Sequence, residues 1–175
     1  FVQLRMKDRP VAEVAAEAQR AFDICRRHEC QLVLNDYWEI ALDLGIDFIH
    51  LGQDDLRNAD LEAIKLAGIK VGISTHNEAE LTAALSAEPD YVALGPIYET
   101  KLKAMPWAPQ GIEKIREWRI KIGNLPLVAI GGLTPERASA VIEAGADSLA
   151  VITDFVTDEN PDDRVRQWLR QLQAR

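Results

Sequence analysis

Short apolar runs with strand character recur along this chain, each followed by a stretch with helical spacing, and this alternation constrains the fold more than any other feature. The runs are Phe1 to Leu4, Gln31 to Leu34, Phe48 to Leu51, Lys70 to Ile73, Tyr91 to Leu94, Leu127 to Ile130 and Ser148 to Ile152. They predict seven strands. Between them apolar residues return at helical spacing, as in Val11, Val14, Ala15, Ala18, Phe22 and Ile24, and again in Val165, Trp168, Leu169 and Leu172. Strand-helix-strand units cross over right-handed, so their repetition makes a parallel sheet that either winds doubly or closes into a barrel.

Two features favour the barrel. A small-residue marker precedes several strands (Gly45, Gly68 and Gly145), as if one unit were repeated around an axis. The strands also end in polar or glycine residues, namely Asn35, Gly52, Ser74, Gly95 and Gly131, where a barrel places its active site. Closure takes eight strands. The expectation is therefore a parallel (β/α)8 TIM barrel, one domain over residues 1–175 holding strands two to eight, with the first β/α unit lacking ahead of Phe1. The edge left by that unit predicts aggregation, a homodimer that covers it, or a further strand.

Composition removes other classes. Hydrophobic residues make up 47% of the 175, yet no run of eighteen apolar residues occurs, so no membrane span is expected. The net charge of −8 opposes nonspecific nucleic-acid binding, which needs a basic stripe. No secretory leader is visible at Phe1-Val2-Gln3, and a cytoplasmic location is expected. Cys25 and Cys30 fall in one predicted helix and point to different faces, which suggests neither a bridge nor a metal site.

The candidate chemistry gathers at the strand ends. Strand periodicity puts Gln3, Arg5 and Lys7 on one face, expected to look into the barrel, where a cation needs an anionic partner. A solvated edge strand would show the same pattern. Asn35-Asp36 closes one strand and Gln53-Asp54-Asp55 follows the next, so carboxylates reach one rim and can share a hard cation such as Mg2+. Asn-Asp also serves as a cap for the helix predicted over residues 37–44. Thr75 with Glu78 fits a capping box, leaving Ser74 free for a ligand. His76 reads as a first-turn residue without a visible partner, and His50 as a satisfied interior residue. Thr100-Lys101-Leu102-Lys103 lies in a long loop whose lysines can meet phosphate or water. Gly131-Gly132 precedes Thr134 as cap and Pro135 at the first helical position, and its bare amides can hold an anion.

Gln3-x-Arg5-x-Lys7, Asn35-Asp36, His50-Leu51-Gly52-Gln53-x-Asp55, Gly72-x-Ser74-Thr75-His76, Gly95-Pro96-Ile97-Tyr98 and Ala129-Ile130-Gly131-Gly132 together resemble the thiamine phosphate synthase family, in order and over essentially the whole chain. That resemblance implies coupling of 4-amino-2-methyl-5-hydroxymethylpyrimidine diphosphate with a thiazole phosphate, releasing diphosphate. It also implies that Asp36 and Asp55 hold Mg2+, and that Gln3, Arg5, Lys7, Asn35, Ser74 and Lys103 surround the pyrimidine diphosphate. Arg5, Lys7, Ser74 and Lys103 are its implied catalytic residues, while Thr100, Gly132, Ile152 and Thr153 would face the thiazole phosphate. Two side chains depart from the family's pattern: Leu102 replaces a hydroxyl, and Thr153 stands where serine is common.

The related thiazole tautomerases share the barrel without needing a diphosphate or metal. Asn35-Asp36 with Asp55 favours the synthase, and Pro96 sits where the tautomerases tend to show a histidine. A non-catalytic barrel that binds thiazole or thiamine phosphates is a third possibility, for which the metal and diphosphate residues would have no use.

Overall fold

The computed structural model describes residues 1–100 and 107–173, in two compact units: Phe1–Ser74 with Ala83–Asp90, and Thr75–Thr82 with Tyr91–Arg175. In the first, the order is β1 (Val2–Leu4), α1 (Val11–Arg27), β2 (Leu32–Asn35), α2 (Trp38–Leu44), β3 (Phe48–Leu51), α3 (Gln53–Asn58), α4 (Leu61–Leu66) and β4 (Lys70–Thr75, all but its last residue). These strands pair parallel in chain order, with Gln3 opposite Val33, Asn35 opposite His50 and His50 opposite Gly72. β2 and β3 are buried at every position, as expected of parallel strands covered on both faces. Leu32, Leu34, Ile46, Ile49, Leu51 and Ile64 fill this core.

The second unit carries β5 (Tyr91–Leu94), α6 (Gly111–Ile122), β6 (Leu127–Ile130), α7 (Pro135–Glu143), β7 (Ser148–Ala150), α8 (Thr153–Val156) and α9 (Pro161–Gln173), while α5 (Glu78–Ser86) is divided between the units. Its strands are also parallel, Val92 opposite Leu127 and Val128 opposite Ser148. Trp118 is fully buried and donates its indole N–H to Thr75 Oγ1 at 2.9 Å; the Thr75 hydroxyl in turn donates to the Ala93 carbonyl at 3.0 Å. Thr75→Val keeps the volume but strands both partners, at about 1–3 kcal/mol each. Thermal unfolding of that variant is expected to fall by roughly 5 °C or more; an unchanged midpoint would contradict the role given to the hydroxyl.

The parallel α/β architecture and the seven strands match the expectation, and a closed eight-stranded ring goes beyond the described residues. Strand limits shift by one or two residues: β2 runs on to Asn35, β4 to Thr75, and β7 stops at Ala150. The outer helices bury less than their spacing promised. In α1, Val14, Ala18 and Cys25 are buried while Val11 and Ile24 are exposed; among the described residues of α9 only Trp168 is buried, its indole N–H on Asp154, which also holds Arg164 through two bonds of 2.8 and 2.9 Å. α1 ends at Arg27, so Cys30 lies outside the helix predicted to contain it, its N–H bonded to the Cys25 carbonyl at 2.9 Å. Among the described residues no helix is long and apolar enough to cross a membrane.

Candidate active site

Parallel pairing in the first unit brings three chain turns to one rim: the segment after β1 with Lys7, the end of β2 with Asp36, and the first turn of α3 with Asp55. The Lys7 ammonium forms an ion pair with Asp36 Oδ2 and lies 3.8 Å from Asp55 Oδ2. Asp36 is the buried member, its side chain 9% exposed against 34% for Asp55 and 40% for Lys7. Its Oδ2 atom is shut from solvent and has no aligned hydrogen bond, so the Lys7 charge is what compensates it. Burial works against the Lys7 ammonium, but the Asp36 carboxylate and the charge of Asp55 outweigh it and raise the lysine pKa; Arg5 opposes that rise. Burial, then the neighbouring Asp36 carboxylate, raises the pKa of Asp55, with Lys7 pulling the other way.

Helix capping does not account for this cluster. The cap position of α2 is Tyr37, with no side-chain capping bond, and Asp36 turns through a left-handed φ of 70° with its N–H on the His50 carbonyl at 2.9 Å. Gly52 leaves room for the second carboxylate, since a Cβ there would stand 3.0 Å from Asp55 Oδ2. Asn35 is buried beside Asp36 at the strand end.

Gln3 and Arg5 do not face a closed interior. Both are exposed, and β1 stops at Leu4, so strand alternation does not carry through Arg5 and Lys7; the solvated edge is what the structure shows for these two. Ser74 is not free either. Its hydroxyl lies 2.7 Å from His50 Nε2, and its carbonyl accepts from Gln53 Nε2 at 2.7 Å. His50 is thus the satisfied interior histidine that the sequence suggested. Burial lowers its pKa to about 4, against a weaker opposing pull from Asp55.

The His50 shift sets an acid limit on stability. The unfolded chain takes up this proton below about pH 6.5 and the folded protein only near pH 4, so stability falls as pH drops through that window, by roughly 3 kcal/mol in all. Urea unfolding from pH 7 to pH 4 should show that loss. His50→Gln should flatten it, and parallel curves for the two proteins would count against the assignment.

In the second unit the loop after β5 lies against the loop after β6. Ile97 N–H donates to the Ile130 carbonyl at 2.9 Å and Tyr98 N–H to the Gly131 carbonyl at 3.0 Å. The glycines let the chains come this close: a Cβ on Gly95 would lie 2.7 Å from the Ile130 carbonyl oxygen, and one on Gly131 2.6 Å from Pro96 Cβ. The Gly132 carbonyl accepts from Arg137, whose guanidinium lies 4.4 Å from the centre of the Tyr98 ring. Thr134 and Pro135 take the expected cap and first helical positions of α7, although the Thr134 side chain makes no capping bond. Thr100 is half-buried, Ile152 is the cap residue of α8 and exposed, and Thr153 opens that helix. Lys103 and Leu102 lie outside the described residues.

His76 has a partner the sequence did not reveal. Glu80 Oε2 meets its Nδ1 at 2.7 Å and its backbone N–H at 2.8 Å, and the ring stacks on Trp107 with centroids 5.4 Å apart. The predicted Thr75–Glu78 capping box is replaced by Asn77 and Glu80: Asn77 Oδ1 accepts from the Glu80 N–H at 3.0 Å, which leaves Thr75 to the core. The His50–Ser74 and His76–Glu80 pairs are the site contacts that sequence reasoning missed. Polar residues on adjoining interior strands signal the first, and i, i+4 spacing signals the second.

The thiamine-phosphate synthase of Rhizobium etli is 57% identical over 169 residues, covering 97% of this chain and 83% of that protein. The Citrobacter koseri thiamine-phosphate synthase is 42% identical over 159 residues, covering 91% and 75%. In three dimensions the chain is similar to a thiamine phosphate pyrophosphorylase from Pyrococcus furiosus, with a TM-score of 0.85 at 23% identity over 98% of this chain and 82% of that one, a likeness of fold. The thiamine monophosphate synthase family profile matches residues 1–155, and with these relatives it establishes that the chain belongs to that family of transferases.

Proposed function

We propose that the chain joins 4-amino-2-methyl-5-hydroxymethylpyrimidine diphosphate to a thiazole phosphate with Mg2+ held by Asp36 and Asp55. The observation that carries this is the convergence of those two carboxylates on one cation, with a buried Asp36 oxygen that no aligned hydrogen bond satisfies. Among the described residues no three His, Cys, Asp or Glu side chains cluster as a metal cage. Two carboxylates suit Mg2+ nonetheless, because that ion keeps waters and takes phosphate oxygens for its remaining positions. When bound it would neutralise charge developing on the departing diphosphate.

The chain's own residues supply the rest. The bond between the pyrimidine methylene carbon and the diphosphate oxygen breaks with its electron pair going to diphosphate, and the thiazole nitrogen donates the pair that forms the new carbon–nitrogen bond. Arg5, Lys7 and Lys103 would lend positive charge to the leaving group, and Gln3, Asn35 and Ser74 would orient the pyrimidine diphosphate. His50, neutral at physiological pH, would fix the Ser74 hydroxyl. Thr100, Gly132, Ile152 and Thr153 would receive the thiazole phosphate. A single domain over residues 1–175 that holds strands two to eight of a (β/α)8 barrel, a homodimer and a cytoplasmic setting complete the proposal. The repeated strand-helix units support the barrel.

Calorimetric titration with the pyrimidine diphosphate tests this assignment. Binding should require Mg2+ and weaken about tenfold or more in Arg5→Ala, the loss expected for a charge-assisted phosphate contact. Equal affinity with and without metal, and in both proteins, would refute it.

A further inference from the structure

Lys7 occupies a place that its assigned role does not explain. A lysine reserved for a diphosphate has no need of Asp36, yet its ammonium rests on that buried carboxylate and lies 3.8 Å from Asp55. We propose that Lys7 is the resident counter-cation of the Asp36–Asp55 pair: it holds the position between the carboxylates until a divalent cation enters, and the entering ion releases it. This inference rests on the reading of the pair as metal ligands.

Charge balance gives it direction. Two carboxylates and one ammonium sum to a single negative charge, which the nearby Arg5 guanidinium offsets further, so the rim attracts a cation less than the bare pair would. Without Lys7 the carboxylates would face each other uncompensated, and the buried Asp36 oxygen has no aligned hydrogen bond to fall back on. A divalent ion must therefore displace the ammonium of a side chain that is already 40% exposed and can swing outward. The freed ammonium then becomes available to an anion arriving with the metal. By linkage, metal and diphosphate assist each other's binding through Lys7, and metal alone binds more weakly than two carboxylates would allow.

Titration of the full chain with Mn2+ alone, following free metal by electron paramagnetic resonance, tests this without any turnover. Lys7→Gln is expected to bind Mn2+ about tenfold more tightly than the parent, and Lys7→Arg, which keeps the cation, to stay near it. Thermal unfolding supplies a second readout: metal-free Lys7→Gln should melt below the parent and gain more from Mg2+. Equal or weaker Mn2+ affinity in Lys7→Gln, with the parent still binding metal, would overturn the counter-cation role alone. If neither protein binds Mn2+, or if the gain survives in the Lys7→Gln/Asp36→Asn double variant, the metal-ligand reading itself fails and the inference with it.

Discussion

Asp36→Asn is expected to lower turnover by about 10²–10³-fold, the scale of loss when charge stabilisation of a leaving group is removed. The fold should survive. Asp36 sits at a left-handed φ of 70°, a conformation asparagine adopts as readily as aspartate, and its backbone bond to His50 needs no side chain. Lys7 would lose its buried partner but keep Asp55 within 3.8 Å, so the stability cost stays small beside the catalytic one. Asp55→Asn should show a milder loss, because its carboxylate is the more exposed of the two. Steady-state rates over a Mg2+ series, with circular dichroism to verify folding, check both variants. Full activity in both would remove Asp36 and Asp55 from the metal site.

Gly132→Ala is expected to destabilise the second unit by about 2–5 kcal/mol, or some 5–15 °C in its melting temperature. Two independent costs add. The residue has a φ of 62°, where a side chain is strained, and a Cβ would lie 2.4 Å from the Glu99 carbonyl oxygen and 2.8 Å from Tyr98 Cβ. Because the colliding atom is backbone, no side-chain rotation relieves it. The loop after β5 would have to move away, taking Thr100 with it, so the apparent affinity for thiazole phosphate should fall along with stability. Calorimetric unfolding and a KM measurement for the thiazole phosphate test the two parts. A variant with the parent's melting temperature would show that this close approach does not constrain the loops.

Those two positions illustrate what the sequence made legible. Seven strands are legible because their apolar runs are short and bounded by polar or glycine residues, and neighbouring strands ending at one rim account for Asp36 and Asp55 both lying within reach of Lys7. Helix faces were harder. The spacing of Val11 and Ile24 fits an apolar stripe, yet both are exposed, Ala15 and Phe22 are half-buried and only Val14, Ala18 and Cys25 are buried, since periodicity marks a face and not how much of it is covered. Side-chain partners far apart in sequence were not readable at all: Thr75 resembled a helix cap until Trp118, forty-three residues on, was seen donating to it. Ser74 looked free for the same reason, its partner His50 lying twenty-four residues earlier on another strand. Alternation predicts an interior face for Arg5, but β1 ends at Leu4, before it; Gln3 lies within β1 and is exposed all the same.

The most direct test of the central claim is to incubate the purified chain with the pyrimidine diphosphate and the thiazole phosphate, with and without Mg2+, and follow thiamine phosphate by mass spectrometry. Product that needs both substrates and the metal, with diphosphate released in equal amount, is the predicted result. A folded protein that binds Mg2+ and both substrates yet forms no thiamine phosphate would contradict the account.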